Sequence, residues 1–299
     1  MKTSILGLIR LCRPANLPTA MADILAGAAI SGLSFGVLSK EYFSFNFSLN
    51  AFLLVLASVF LYAGGVVLND VFDLKLDLKE RPERPIPRGI VSLRTAAVFG
   101  TFLLLSGIIM AFLVNHLAGI VAFVLALSII LYDAVSKKYE ILGPLNMGVC
   151  RALNLILGMS IYGEILSWKL AIIPLIYIYA ITLISRGEVH GDNKKNIIMA
   201  AILYAAVIFL VFITIANTGL KWSALACLGF FAFLIMGSLV KAFRKNSPTN
   251  IKKAVITGVL SIIVLDATFV MAYDTWMFGL IVLLLLPVSM LMAKIFAVT

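Results

Sequence analysis

Ten stretches of this 299-residue chain are long and apolar enough to cross a bilayer as helices, which takes about 20 residues each. They lie near 16–38, 50–69, 93–114, 117–135, 144–163, 168–185, 196–216, 221–241, 253–273 and 276–296. Lipid offers no partners to a backbone, so only helices and closed barrels span it, and runs of this length and composition specify helices. The expected fold is an all-α polytopic membrane bundle forming one domain over residues 1–299. The chain is 62% hydrophobic and 13% charged, whereas apolar residues make up about half of a soluble protein. Before the first run stand Arg10, Arg13 and Pro14 with no small-residue cleavage site, which reads against a removed signal peptide.

The net charge of +10 could point to nucleic acid, but its placement does not. Twenty Lys and Arg side chains lie in the N-terminus and in the loops after runs 2, 4, 6, 8 and 10. The other side has three, Lys40, Lys169 and Lys221. A bias of this size orients a membrane protein with its basic loops inside. The even-numbered loops and both termini are expected to be cytoplasmic, in an integral protein of a bacterial or archaeal cell membrane. No nucleic-acid partner is implied.

The segment Asn69–Asp77, NDVFDLKLD, ends the second run. On a helix, Asn69, Asp73 and Asp77 repeat at i, i+4 and i+8, and Asp70 joins them at i, i+3 and i+7, so one face gathers four oxygen-bearing side chains. Stacked like charges repel, so such a face persists only if fully solvated or if cations sit between its groups. Lys79–Gly89, KERPERPIPRG, follows at once; its prolines stop the helix and stiffen the loop carrying Arg81, Arg84 and Arg88. Acids can hold cations and arginines an anion that those cations also touch, and magnesium with diphosphate is such a ligand. The competing reading is a solvated basic loop whose acids pair with its own arginines.

A second acidic pair, Glu188 and Asp192 in SRGEVHGDNKK, follows run 6 on the same expected face, again one helical turn apart. A carboxylate at the bilayer centre would cost ~3 kcal/mol even on the lenient insertion scale. All five of these acids and Asn69 instead sit at run ends, where a cytosolic ligand can reach them. Tyr132, Lys137 and Lys138, at the end of run 4, could cover a diphosphate. Arg151 and Asn154 lie about two turns inside run 5, where an arginine needs a partner. For Arg151 a carboxylate of either cluster and direct phosphate contact both remain open.

Arg13 and Asn16, opening run 1, could touch a ligand, and Asp23 reads as a capping or pairing group. Asp133 is expected to pair with Lys137 or Lys138, and Asp266 and Asp274 to bond between helices. Ala63, Gly64 and Gly65 let a second helix approach run 2 closely. The aromatic stretch of Tyr42, Phe43, Phe45 and Phe47 suits the membrane interface. Neither His116 nor His190 stands in a catalytic pattern. Cys12, Cys150 and Cys227 show no metal or redox spacing and read as packing residues.

NDVFDLKLD followed by RPERPIPRG, the segment YDAVSKK, and the ExxxD of the Glu188 loop resemble the UbiA superfamily of intramembrane prenyltransferases. The resemblance runs from about Arg13 to Asn196. RPERPIP and EVHGD look closest to the branch of archaeal geranylgeranylglyceryl phosphate synthase and EboC-like proteins, and GPLNMGVCRALNLILG is especially EboC-like. The resemblance implies nine helices around a central cavity, where ten runs are read here, a Mg2+ requirement, and transfer of an isoprenoid chain from its diphosphate to an acceptor. Carried over by position, Asn69, Asp70, Asp73, Asp77, Glu188 and Asp192 would hold the metal, with Asp70, Asp73, Asp77 and Asp192 in catalysis. Tyr132 with Lys137 or Lys138 would match the superfamily's Tyr-Lys element, and together with Asn16, Arg84, Arg88, Arg151 and Asn154, singled out above from the residues themselves, they are the expected diphosphate- and substrate-binding side chains. Tyr132 and the lysines are spaced one residue wider than in many members, and Glu188 stands where many carry Asp.

The expected partners are therefore an isoprenyl diphosphate such as geranylgeranyl or another polyprenyl, a lipophilic or aromatic acceptor, and membrane lipids. In the expected chemistry, magnesium and basic side chains stabilise the leaving diphosphate, and the cavity keeps the allylic cation from water. Two alternatives stand beside it. One is a membrane terpene cyclase of the same superfamily. The other is a lipid or small-molecule transporter, although transporter sites tend to lie at the bilayer midplane in broken helices.

Overall fold

The structure, a computed structural model, describes residues 2–33, 45–188 and 191–296. Among them every regular element is helical: α1 (Lys2–Leu11), α2 (Leu17–Ile30), α3 (Phe45–Phe72), α4 (Leu74–Glu80), α5 (Leu93–Val114), α6 (His116–Ala134), α7 (Leu142–Met159), α8 (Ile172–Ser185), α9 (Lys194–Asn217), α10 (Trp222–Arg244), α11 (Pro248–Tyr273), α12 (Trp276–Leu283) and α13 (Leu285–Phe296), with short 3-10 turns between some of them. The expected all-α membrane bundle is found.

Nine helical spans among the described residues are long and apolar enough to cross a membrane, from Leu49–Phe72 to Trp276–Phe296. They correspond to runs 2–10. Run 1 is represented by α2, whose 14 described residues are too few to span alone. The aromatic stretch at Tyr42 and Phe43 and the side chains of Phe45 and Phe47 fall outside the described residues, as does His190.

The order of the bundle follows from which faces are apolar and which are small. Neighbouring pairs run α2–α3, α3–α5, α5–α6, α6–α7, α7–α8, α8–α9, α9–α10, α10–α11 and back from α11 to α2. Burial separates inner helices from outer ones: 72% of the hydropathic core of α11 and 61% of that of α7 lie inside the protein, against 28% for α5 and 33% for both α9 and α10. The outer three present their apolar faces outward, as lipid contact requires, with Phe102, Leu113, Phe209 and Phe233 more than half exposed.

Small residues set the closest approaches. A Cβ on Gly27 of α2 would lie 2.3 Å from the Leu155 carbonyl oxygen of α7, and one on Gly158 of α7 would lie 2.5 Å from that of Ile24. These two backbones therefore touch, as small residues allow in membrane bundles. Gly64 meets the Gly100 carbonyl of α5 and Gly65 meets Ile129 of α6, so the small residues of run 2 do receive helices.

Between α1 and α2 the chain turns sharply. Arg13 takes a left-handed conformation, φ 47°, and Pro14–Asn16 form a 3-10 turn before Pro18 opens α2. The turn is held from the far end of the chain: α13 packs on it, and the buried Ser289 hydroxyl donates to the Ala15 carbonyl. This places Arg13 and Asn16 at the end of the bundle where α3 delivers its acids.

Candidate functional site

A cavity of about 390 Å3 opens among α2, α3, α6, α7, α8 and α11. Leu61, Leu125, Ile129, Ile178, Ile181 and Ile262 form its apolar wall. One end is polar and carries Arg13, Asn16, Asn69, Tyr132 and Asp133. The Asn69–Asp77 segment crosses that end at the junction of α3 and α4. Helical bonding continues through the junction, with Asp73 N–H donating to the Asn69 carbonyl at 2.9 Å and Asp77 N–H to that of Asp73 at 2.9 Å.

Each of the three acids of the segment has a cationic partner, and Asn69 has a carboxylate one. Arg13 donates to Asp70 at 2.7 Å, and Arg84 spans Asp70 at 2.9 Å and Asp77 at 2.7 Å. Lys137 pairs with Asp73 at 2.6 Å. Asn69 donates from Nδ2 to Oδ1 of Asp133 at 2.7 Å. The loop arginine does pair with the loop acids, as the competing reading expected. The pairs are not solvated, however: Asp70 and Asp77 are buried, and two of the three cations come from other parts of the chain. The turns after α4 bring Arg84 inward, while Arg88 and Lys138 are exposed.

Three expectations are corrected here. Arg151 pairs with neither acidic cluster: its Nε meets Asp23 at 2.7 Å, its Nη2 lies 3.9 Å from Asp266, and it donates to the Thr19 carbonyl and hydroxyl at 2.6 and 3.2 Å. A guanidinium inside the bundle needs several acceptors at once, and the crossing of α2, α7 and α11 supplies them. Asn154 completes this cluster by donating to Asp23 at 2.8 Å and accepting from Ser58 at 2.7 Å. Arg151 and Asn154 still line the cavity beside Thr19 and Ser58. Asp133, in turn, bonds Asn69 and not a lysine, because Lys137 turns to Asp73.

The third correction concerns the second acidic pair. It lies between α8 and α9 and not on a helix, with Asp192 exposed at φ 49°. Asn193 anchors the segment by donating to the Leu183 and Ile184 carbonyls that end α8. Glu188 is half buried; burial pushes its carboxyl above the usual value while Lys252 and Arg81 oppose the shift. Cys12 has its thiol pushed up to about 11 by burial, in keeping with a packing role.

Among the described residues no three His, Cys, Asp or Glu side chains are grouped closely enough to hold a metal ion by themselves. The donor set still suits magnesium, which takes hard oxygens from one or two carboxylates and completes its shell with water and phosphate. Asn69 lines the cavity and Asp73 stands one helical turn further along the same segment, and both carry such oxygens. Sequence reasoning missed Asp133, Thr19, Ser58 and Tyr62 as cavity residues. For Asp133 the signal was its place beside Tyr132 on the last turn of α6.

Comparison with known proteins agrees with this architecture. Over 156 residues the chain is 35% identical to digeranylgeranylglyceryl phosphate synthase of Methanococcoides burtonii, which covers 52% of this chain and 54% of the relative. Over 179 residues it is 31% identical to the synthase of the same name from Saccharolobus solfataricus, covering 57% and 62%. The chain thus spans about half the length of the curated relatives it matches. A solved structure concerned with digeranylgeranylglyceryl phosphate synthase in membranes superposes with a TM-score of 0.68 at 20% identity, covering 91% of this chain and 99% of that one. A UbiA homologue from Archaeoglobus fulgidus bound to GPP and Mg2+ gives 0.62 at 15% identity, covering 88% and 99%. These likenesses show a shared fold. Residues 29–263, which include both acidic motifs and most of the cavity wall, match the UbiA prenyltransferase family, and the chain belongs to it.

Proposed function

We propose that the protein is a Mg2+-dependent intramembrane prenyltransferase that moves an isoprenoid chain from its diphosphate to a lipid acceptor carrying a hydroxyl. The observation that carries this reading is the cavity itself: much of its wall is apolar, one end carries Arg13, Asn69, Tyr132 and Asp133, and Arg13 joins that end to the acids paired with Arg84 and Lys137. An isoprenyl diphosphate has the same polarity, a long hydrocarbon with two phosphates at one tip. The curated relatives are named for a product with two geranylgeranyl groups on glyceryl phosphate. The acceptor class by analogy is a glyceryl phosphate already bearing one chain, and the A. fulgidus homologue, bound to GPP and Mg2+, supports the donor class.

In this reading Asn69, Asp70, Asp73 and Asp77, with Glu188 and Asp192 from the loop between α8 and α9, hold the metal. Bound there, Mg2+ would neutralise the negative charge that grows on the diphosphate as it leaves. Arg13, Arg84 and Lys137 already meet the acids and contribute fixed positive charge to the same end of the cavity, while Tyr132 and Asn16 line it. Positive groups fixed in advance favour departure because they need not reorganise as charge develops. The Leu61, Ile129, Ile178 and Ile262 side chains hold the hydrocarbon and exclude water from the allylic carbon. The charged end then faces the cytoplasm, by the distribution of basic loops.

The test uses purified protein in lipid with Mg2+, geranylgeranyl diphosphate and geranylgeranylglyceryl phosphate, with products identified by mass spectrometry. The expected result is an ether product that disappears on chelation of Mg2+ and falls at least ~100-fold in Asp73→Ala and Asp192→Ala. Undiminished transfer in either variant removes that acid from the chemistry. A cyclised hydrocarbon formed without acceptor would replace the transferase reading with a cyclase.

A further inference from the structure

Asp133 has a role that neither acidic motif accounts for. It sits on the last turn of α6 at 3% exposure, and it lines the cavity between Asn69 and Tyr132. Its Oδ1 accepts from Asn69, but its Oδ2 is buried and accepts nothing within the protein. An unmet carboxylate oxygen in a low-dielectric setting costs more than the lost bond alone. The nearby cations form their ion pairs with other acids. Lys137 is taken up by Asp73, and Arg13 by Asp70. Met147 and Cys150 of α7 line the cavity too, and neither is a strong donor. A carboxylate oxygen of a cavity-lining residue is thus left without a donor from the protein.

A ligand that satisfies this oxygen must supply a hydrogen. A diphosphate has only oxygens to offer at neutral pH and would be repelled. A hydrocarbon chain has no donor. A hydroxyl fits. We infer that Oδ2 of Asp133 receives the hydroxyl of the acceptor as a hydrogen bond, making Asp133 a binding and specificity residue for protic acceptors. Asn69 holds the other oxygen and so fixes the rotation of the carboxylate, which orients the acceptor oxygen next to the acids that hold the donor. An acceptor with its hydroxyl replaced by hydrogen or a methyl ether leaves Oδ2 without a bond and is selected against.

The inference rests on the prenyl-transfer reading, and the experiment separates the two. Binding of geranylgeranyl diphosphate with Mg2+, and of geranylgeranylglyceryl phosphate, is measured by calorimetry on wild type and Asp133→Asn in nanodiscs, beside steady-state transfer. Asparagine keeps the shape and an oxygen for Asn69 but turns the second position into a donor. Binding of the diphosphate and the Mg2+ requirement are expected to stay within about twofold, whereas the acceptor dissociation constant and KM rise at least ~10-fold, the loss of one hydrogen bond to a charged group. Asp133→Ser, which retains a small acceptor, is expected to recover part of the acceptor affinity. Unchanged acceptor binding in Asp133→Asn overturns the inference, and so does a parallel loss of Mg2+ and diphosphate binding, which would make Asp133 a metal ligand. Wild type that binds the diphosphate but no hydroxyl acceptor also overturns it while leaving the donor reading in place. Failure of wild type to bind the diphosphate counts against the transferase reading itself.

Discussion

At the scale of single residues, the acids of this protein do different jobs according to what surrounds them. Asp70 and Asp77 share Arg84 in a buried network, Asp73 leans on Lys137, and Asp23 and Asp266 hold Arg151 within the bundle. Glu188, at the edge of the loop, is a pH-sensitive case. Burial raises its carboxyl above the ordinary glutamate value, so the folded state prefers the neutral form. The associated stability is complete below the unfolded value and is lost as pH rises through the higher folded value. Glu188→Gln keeps the neutral form throughout. Wild type should therefore lose thermal stability relative to Glu188→Gln as pH rises above the ordinary glutamate range, while in the proposed reading transfer activity, which would need the ionised carboxylate, rises over the same range in wild type alone. Parallel melting curves for the two proteins across this range would count against the raised value. The first acidic motif was legible because like charges at helical spacing demand a counter-ion; the second, expected one helical turn apart, lies in a loop. The partners of Arg151 were not, because Asp23 and Asp266 lie 128 residues before and 115 after it and only packing brings them together.

At the scale of elements, α2 is as short as α8, at 14 residues each, and among the most enclosed helices around the cavity, touching α3, α7, α11 and α13. Its contact with α7 is backbone to backbone, and it aligns Thr19 and Asp23 with Arg151 and Asn154. A methyl group at Gly158 would have to occupy space 2.5 Å from the Ile24 carbonyl oxygen. Gly158→Ala should push the helices apart and destabilise the protein by about 1–3 kcal/mol, read as a lower melting temperature in detergent. Gly229→Ala, with open space around it, is the control and should leave the melting temperature nearly unchanged. Equal melting of both variants would show that α2 and α7 can yield. The runs of apolar residues announced these helices, but nothing in the sequence announced the left-handed conformation of Arg13. Its conformation is imposed by α13, which packs on the turn from the opposite end of the sequence.

At the scale of the whole molecule, the two acidic motifs, the Tyr132–Lys137 segment and the α10–α11 connection all belong to one end of the bundle under the loop-charge argument. Single cysteines at Arg88 and Lys245, in a background lacking Cys12, Cys150 and Cys227, should be labelled by a membrane-impermeant maleimide only after the cytoplasmic face is exposed. Cysteines at His116 and Leu220 should be labelled from outside. Labelling of both sets from one side would break the topology and with it a cytosolic entry for the diphosphate. Belonging to a prenyltransferase family is compatible with this layout, since an amphiphilic substrate can place its chain in the membrane and its phosphates at the surface.

By itself the sequence determined that this is a helical membrane protein, how many apolar runs it has, which loops carry the positive charge, and that two acidic motifs end two of its helices. Those properties are written in local composition and spacing, because a bilayer accepts few backbone solutions and like charges must be answered. Only the tertiary structure decided which cation answers which acid, that Arg151 serves Asp23 and Asp266, and that Asp133 lines the cavity and has one oxygen unmet. Such pairings depend on helices that meet far apart in the chain, where packing of small residues and not spacing along the sequence sets the distances.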